Sequence, residues 1–354
     1  MKRKHFIGLD THCEFCELVA VTDSGIVTQR DRCATTIPAL VEAIEKVPRP
    51  RHLVIEEGPI ADWLYRNLLR HADEMVVCDP RRNHLIAKDS DKDDPIDALK
   101  LVQLYRGGYV KAVHHPESFD RAMLKQHIAL YHNRVRQRVR EANHVMSQLR
   151  RHGVFVREAA FLLQSLREEL LDRLPASAVL RSNVELLWKS YDLACEQVNE
   201  TRAQLIRLAR REDQVRRFTD VPGVAWIRAA TFFAYVDTPW RFATKQALWK
   251  YMGIGLERHH SGSGPVQLRV ARYVNRTLKT MILGAAMSAF ASGKNPFADQ
   301  HERWTRQGIS PRNARRNVAR SLAATLWGMW KTGGVYRPEW VGVATASAPQ
   351  GSSR

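Results

Sequence analysis

The first hundred residues begin with three extended segments in succession. Helical segments that alternate with short apolar runs follow them. The three opening segments are HFIGLD, CELVAVTD and IVTQRDRC. Their composition and the turn at Asp23-Ser24-Gly25 predict strands, and two later apolar runs, HLVIEE and EMVVCDP, each follow a helical segment. Consecutive strands joined by short turns predict an antiparallel meander, and strands entered through helices extend the sheet in parallel. This order predicts an α/β domain, which we place at residues 1–112.

The remainder of the chain is predicted to be mostly helical. Residues 113–213 are expected to form long helices, and residues 121–157 contain nine Lys or Arg and a single acid, Glu141. Such helices fit a coiled-coil-like arm for oligomerisation or a basic surface for nucleic acid, and the two interpretations are compatible. Residues 214–335 are expected to form a mostly helical C-terminal domain. The small, polar tail, residues 336–354, is predicted to be disordered.

The charge of the chain indicates the chemistry of its partner. The net charge is +18 at pH 7. Residues 1–100 carry 15 Lys and Arg against 18 Asp and Glu, whereas the remaining residues carry 40 against 19. Solvated basic helix faces explain a single run, but an excess over most of a chain favours nucleic acid. Trp226, Trp240 and Trp249 are nevertheless expected in the core rather than stacked on bases, because aromatic residues in helices usually pack inside.

The sequence predicts neither export nor membrane insertion. No apolar run reaches spanning length, and the N-terminal MKRKHFIGLD leads directly into a strand pattern. The CxxC from Cys13 to Cys16 has no second CxxC or His pair at zinc spacing, which favours structural cysteine over zinc. We therefore expect a cytoplasmic protein with no membrane partner.

The segment DSDKDDPIDAL holds five aspartates within nine residues, from Asp89 to Asp97. Helix capping explains part of it, since Asp94 suits the N-cap, Pro95 the first helical position and Asp97 the first turn. The alternative is half of a metal site, because Asp94 and Asp97 are three residues apart and share one side of a helix. The remaining aspartates keep the interpretation of a solvated turn.

Carboxylates also follow two predicted strands. Asp10 ends the first strand, and Glu56 and Glu57 end the first strand after the meander. In a sheet of ribonuclease-H type these two strands are adjacent and parallel, so Asp10 and Glu56 are expected at one edge. A helix that returns to this edge adds Asp94 and Asp97. Converging carboxylates need a cation to offset their repulsion, and hard oxygen ligands suit Mg²⁺ or Mn²⁺ in a site that cuts phosphodiesters.

Several motifs resemble those of one transposase family. They are IGLDTH, VIEEGP and KDDPIDA in the N-terminal part, and VPGVAWIRAATFFAYV, RF, YMGI and HHSGSG in the C-terminal part. Their order over about residues 5–331 resembles the insertion-sequence family with a RuvC-like Asp-Glu-Asp-Asp domain and a C-terminal transposase domain, related to pilin-gene DNA invertases. The resemblance implies a RuvC/ribonuclease-H-like first domain and a DNA transposase or site-specific recombinase activity.

The same resemblance implies the residues of the site. The implied metal ligands are Asp10, Glu56, Asp94 and Asp97. The implied nucleophile is Ser261, which attacks a DNA phosphodiester and forms a covalent phosphoserine intermediate, with Ser263 as the alternative. Arg258, His259, His260 and Arg269 are candidates to neutralise the scissile phosphate. The family commonly has a Glu followed after two residues by Gly, whereas Glu56-Glu57-Gly58 is compressed, so Glu57 stays open as the ligand.

The resemblance also implies several partners. They are donor and target DNA, a structured non-coding guide RNA, and further copies of the chain in a dimer or tetramer. Two other classes of protein stay open. One is a RuvC-like hydrolytic nuclease such as a junction resolvase, although the C-terminal third exceeds what a resolvase needs. The other is a non-catalytic nucleic-acid-binding protein whose acidic cluster is structural.

Overall fold

The computed structural model of the chain describes residues 3–80, 94–116, 118–156, 160–259, 267–271 and 273–341. Within these ranges the side chains of residues 94–95, 258–259, 267–268 and 340 are not described. The chain divides into two compact units, residues 1–117 and 118–354. The finer division of the second unit into a helical middle, a transposase domain and a tail stays a prediction.

A five-stranded sheet forms the centre of the first unit. Its strands are β1 (His5–Thr11), β2 (Phe15–Thr22), β3 (Val27–Ala34), β4 (Arg51–Glu56) and β5 (Glu74–Cys78). Their order across the sheet is β3-β2-β1-β4-β5. The first three strands pair antiparallel, and β4 and β5 continue the sheet in parallel with β1. The predicted meander with strands added through helices is confirmed.

Helices cover both faces of this sheet, because its central strands carry apolar side chains on both sides. The helices in the described part of this unit are α1 (Ile37–Glu45), α2 (Ala61–Leu68) and α3 (Asp94–Arg106). Leu9 and Ile55 pack in one core with α1 and α2. On the other face, Val19 and Val54 pack against α3. A residue's place in a strand therefore decides which helices it meets.

The described part of the second unit consists of helices and one short hairpin. The helices are α4 (Phe119–Arg151), α5 (Arg167–Asp172), α6 (Ala178–Ala209), α7 (Asp213–Phe218), α8 (Trp226–Val236), α9 (Lys245–Tyr251), α10 (Arg276–Ala291), α11 (Pro296–Arg306) and α12 (Pro311–Thr332). The hairpin pairs β6 (Leu256–His259) antiparallel with β7 (Gln267–Val270). The mostly helical remainder that the sequence predicts is confirmed. No helix among the described residues is both long and apolar enough to cross a membrane.

The two longest helices of this unit, α4 and α6, pack against each other and contribute to two cores. They contain 33 and 32 residues, so each is about 50 Å long. Near the ends that the chain connects, Leu149 packs with Leu180 and Trp188. Towards their other ends, Ile128 and Leu205 join the main core of the unit with α8, α10 and α12. A role of this helix pair in oligomerisation or nucleic-acid binding stays a prediction.

The five cysteines differ in exposure, which predicts their order of reaction. Cys13 is exposed, whereas Cys16 and Cys78 are buried and Cys33 and Cys195 are intermediate. Burial raises the pKa of Cys16, and burial followed by the neighbouring Cys16 raises the pKa of Cys33 to about 11. Since the thiolate is the reactive form, we expect Cys13 to be alkylated first by iodoacetamide at neutral pH, as mapped by peptide mass spectrometry. Removal of the fast phase in Cys13→Ser is the control, and faster labelling of Cys33 would contradict the prediction.

Candidate active site

Asp10 and Glu56 lie at the ends of two neighbouring parallel strands. In the register of β1 and β4, Leu9 pairs with Ile55, so the residues that follow them, Asp10 and Glu56, lie side by side. Both are partly buried. Val54, two residues before Glu56, packs against α3, and side chains two apart in a strand share a face. Glu56 is therefore directed to the face of the sheet that α3 covers.

Glu57 is directed differently from Glu56. Its amide donates to the carbonyl of Cys78 at 2.9 Å, so pairing with β5 continues for one residue past Glu56. Alternation along an extended chain then directs Glu57 away from the α3 face. Glu57 is exposed, whereas Glu56 is partly buried. The geometry favours Glu56 over Glu57 as the residue that accompanies Asp10.

The direction of α3 follows from contacts near its C-terminal end. The Gln103 amide donates to the carbonyl of Gly25 at 3.3 Å, and the Arg106 guanidinium donates to the carbonyl of Asp23 at 3.1 Å. These carbonyls belong to the turn between β2 and β3, beside the first residue of β1. The end of α3 therefore lies where β1 begins, and its first turn lies towards the edge where β1 ends.

Gly8 fixes the height of α3 along β1. A Cβ on Gly8 would lie 2.6 Å from the carbonyl oxygen of Ala98 and 2.9 Å from the Cβ of Val102, so helix and strand are in backbone contact there. Four residues of helix, from Ala98 back to Asp94, span about 6 Å, and two residues of strand, from Gly8 to Asp10, span about 7 Å. The backbone of Asp94 is therefore close to level with Asp10. Gly8 also shows that Asp10, two residues on, shares the face that α3 covers.

The acidic segment at the start of α3 is described only in part. The helix begins at Asp94, one residue before the predicted first helical position, Pro95. Asp97 lies in the first turn and is exposed. The side chain of Asp94 and the whole of Asp89, Asp91 and Asp93 lie outside the described residues. The capping role predicted for Asp94 therefore stays a prediction.

Two residues beside Asp10 escaped the sequence analysis. The ring Nε2 of His12 lies 3.1 Å from Oδ2 of Asp10. Glu17 stands opposite Asp10 in the β1–β2 register, is only 8% exposed, and has the Arg32 Nε at 3.6 Å. Directly opposed residues of an antiparallel pair share a face, so Glu17 adds a carboxylate on the α3 side. The sequence did show an acid, Glu17, inside the apolar run of β2. Its position opposite Asp10, however, depends on the register of β1 and β2.

The donor set at this edge suits a hard divalent cation. Asp10 and Glu56 offer carboxylate oxygens, which are ligands that Mg²⁺ and Mn²⁺ prefer, and adjacent carboxylates are stabilised by a cation. Within the residues that the structure describes, no group of three or more His, Cys, Asp or Glu side chains is arranged to hold a metal ion. The predicted four-ligand set includes Asp94, whose side chain is not described. The complete site therefore stays a prediction.

The predicted nucleophile belongs to the connection between β6 and β7. Ser261, its alternative Ser263 and the neighbouring His260 lie outside the described residues. The strands on either side are described, with Leu256 opposite Val270 and three further pairs leading towards the connection.

The three tryptophans of the C-terminal part differ from each other. Trp226 and Trp249 are partly buried against the main core, as expected, and the Trp249 indole donates to the carbonyl of Arg320 at 3.1 Å. The prediction is wrong for Trp240, which is 71% exposed. It lies in the short helical turn Pro239–Arg241, where Pro239 takes the buried position and Trp240 is left outside.

Comparisons with known proteins agree over both parts of the chain. A model of the transposase IS116/IS110/IS902 family matches residues 215–302. A transposase model for the DEDD domain of IS110 elements matches residues 7–153, which include most of β1 and all of β4 and α3. The transposase for insertion sequence element IS1111A of Coxiella burnetii (strain RSA 493 / Nine Mile phase I) is 20% identical over 347 residues, covering 95% of this chain and 92% of that protein. Two models of one transposase family thus match separate segments of the chain, and a transposase relative matches nearly its full length, so the chain is similar to the IS110/IS116/IS902 transposases in both its N-terminal and C-terminal parts.

Proposed function

We propose that the protein cuts and rejoins DNA strands by combining a divalent-metal carboxylate site with a serine nucleophile. The observation that carries this proposal is the pair Asp10 and Glu56, side by side at the ends of parallel strands with the first turn of α3 brought towards the same edge. Three strands in a meander followed by parallel strands also suit a RuvC/ribonuclease-H-like domain. The similarity to these transposases supplies the DNA substrate.

The metal is Mg²⁺ or Mn²⁺ in this proposal. The residues that would hold it are Asp10, Glu56, Asp94 and Asp97. When bound, such an ion neutralises charge on the oxygens of the phosphodiester that is cut. The carboxylates position the ion, and His12, 3.1 Å from Asp10, restrains that carboxylate. Glu17, across the strand pair, lies on the same face as Asp10, and the Arg32 guanidinium offsets its charge.

Ser261 is the proposed nucleophile. Its Oγ forms a bond to phosphorus while the bond from phosphorus to the leaving deoxyribose oxygen breaks, and the serine proton ends on that oxygen. The reverse reaction with the hydroxyl of another strand restores a phosphodiester and frees the serine. No outside energy source is needed, because one phosphate ester replaces another at each step. A structured non-coding guide RNA, donor and target DNA, and a dimer or tetramer of the chain complete the proposal. The basic surplus after residue 100 supports the nucleic-acid partners.

A covalent protein–DNA species tests the serine mechanism directly. The full chain, its element DNA, the RNA transcribed beside the gene and Mg²⁺ are combined, and labelled DNA is followed on a denaturing gel before and after protease. We expect a protease-sensitive DNA adduct with wild type and with Ser263→Ala, and none with Ser261→Ala. If Ser261→Ala forms the adduct and Ser263→Ala does not, then Ser263 is the nucleophile.

The main alternative is metal-dependent hydrolysis by water. Cleaved DNA without any protein adduct in the wild type, together with unchanged cleavage by Ser261→Ala, would support the hydrolytic nuclease. DNA binding without cleavage, unaffected by Asp10→Ala or Asp97→Ala, would instead support a non-catalytic binding protein.

A further inference from the structure

Helix α12 carries a column of arginines on one side. Arg312, Arg316 and Arg320 are spaced four residues apart and therefore stack along the helix, and Arg315 flanks them. The helix contains no Asp or Glu. Among the described residues none of these four arginines forms an ion pair with a carboxylate. We call them the α12 arginine column.

The part of the chain that the structure describes leaves the positive charge of this column uncompensated. Burial lowers the pKa of Arg316, with Arg312 and Arg315 adding to it, and burial followed by Arg316 lowers the pKa of Arg320. Like charges four residues apart also destabilise a helix, by about 0.2–0.5 kcal/mol per pair. Arg315 donates to the sulfur of Met287 at 3.5 Å, and among the described residues its buried Nε has no hydrogen-bond partner. Because α12 concentrates positive charge and contains no acidic residue, its surface is suited to bind an anion from outside the chain.

The C-terminal end of the column, at Arg320, contacts the chain just before the first strand of the β6–β7 hairpin. The Arg320 Nε donates to the carbonyl of Ile254 at 2.7 Å, and Ile254 is two residues before β6 begins. The Trp249 indole donates to the carbonyl of Arg320 itself, which fixes the helix backbone at this point. The same hairpin carries Ser261 in its connection. The column is thus anchored to the segment that carries the proposed nucleophile.

We propose that the α12 arginine column binds the phosphates of the DNA strand next to the cleavage point, which rests on the proposed function. The planar guanidinium forms paired hydrogen bonds with phosphate oxygens, and no carboxylate of the described residues competes for the column. From Arg312 to Arg320 the helix rises about 12 Å, the axial rise of about three to four nucleotides of one strand. Arg320 acts mainly as an anchor, because its Nε is already bonded to Ile254. Arg312 and Arg316 are the contacts to test.

The test compares two double variants that each remove two positive charges. Arg312→Gln/Arg316→Gln alters the column, and Arg303→Gln/Arg306→Gln alters α11, where Arg306 already pairs with Glu302. Binding of a fluorescent duplex of about 30 base pairs is measured by anisotropy over a series of KCl concentrations. Each lost phosphate contact lowers the magnitude of the slope of log K against log salt by about 0.9, so we expect a decrease of about 2 for the column variant. Its affinity at physiological salt should fall at least about tenfold, and the α11 variant should stay close to wild type.

The outcomes separate this proposal from the proposed function. Suppose that the wild type binds DNA and forms the covalent adduct, but that both double variants give the same slope of log K against log salt. This result would overturn the proposal that the column binds DNA phosphates and would leave the proposed function intact. A wild type that binds no DNA would overturn both. The column variant could instead lose binding to a single-stranded RNA of the same length while its salt slope for DNA binding stays unchanged. That result would show that the column binds RNA and would overturn the proposal. Arg312→Lys/Arg316→Lys, which keeps the charge, should retain the salt slope and shows that any loss in the glutamine variant is electrostatic.

Discussion

Replacing Glu56 by glutamine is expected to lower DNA strand cleavage about a thousandfold, the equivalent of about 4 kcal/mol of transition-state stabilisation. Glutamine keeps the size of the side chain but removes the negative charge that would hold the metal. Glu56 lies beside Asp10 and shares its face of the sheet, as the pairing of Leu9 with Ile55 and the packing of Val54 indicate. Single-turnover cleavage of labelled element DNA in Mg²⁺ measures the effect.

Glu57→Gln is the matched control for this prediction. The same chemical change is made one residue along the chain, at an exposed side chain directed away from α3. We expect wild-type cleavage from this variant and unchanged DNA binding from both. Loss of activity in Glu57→Gln with normal cleavage by Glu56→Gln would show that the chain turns at Glu56 and that Glu57 is the ligand.

Gly8→Ala is expected to destabilise the first unit and to reduce cleavage at the same time. Its Cβ would lie 2.6 Å from the Ala98 carbonyl oxygen and 2.9 Å from the Val102 Cβ, and neither atom is the end of a flexible side chain. Overpacking of this kind lowers the free energy of unfolding by about 1–3 kcal/mol, and it displaces α3 from the sheet. Since the first turn of α3 contains Asp94 and Asp97, cleavage should fall with stability. Calorimetry should show the lowest thermal transition reduced by about 10 °C.

Gly58→Ala provides the control for Gly8→Ala. A Cβ on Gly58 meets no atom within 4 Å, so the same substitution close to the site has space. Stability should be unchanged or higher by about 0.4–1 kcal/mol, because alanine restricts the unfolded chain. A Gly8→Ala variant as stable and active as wild type would mean that α3 does not contact β1 at this residue.

The amino-acid sequence by itself determined the local elements and the candidate residues. Strand-like runs and turns predicted the meander, and helical segments between apolar runs predicted the parallel strands. Asp10 and Glu56 were recognised because acids at strand ends are visible in a one-dimensional pattern. The charge surplus of the later residues indicated nucleic acid without any knowledge of the fold. These features depend on periodicity and composition, which are local or additive properties of a chain.

Only the tertiary structure decided which of these residues meet. The choice of Glu56 over Glu57 required the β4–β5 pairing, and the place of Glu17 opposite Asp10 required the β1–β2 register. The exposure of Trp240 and the anchoring of the arginine column at Ile254 likewise came from packing between distant segments. Local sequence fixes which face of its own strand or helix a side chain occupies. Contacts between segments far apart in the chain then decide what that face meets, because they balance burial, hydrogen bonding and charge over the whole unit.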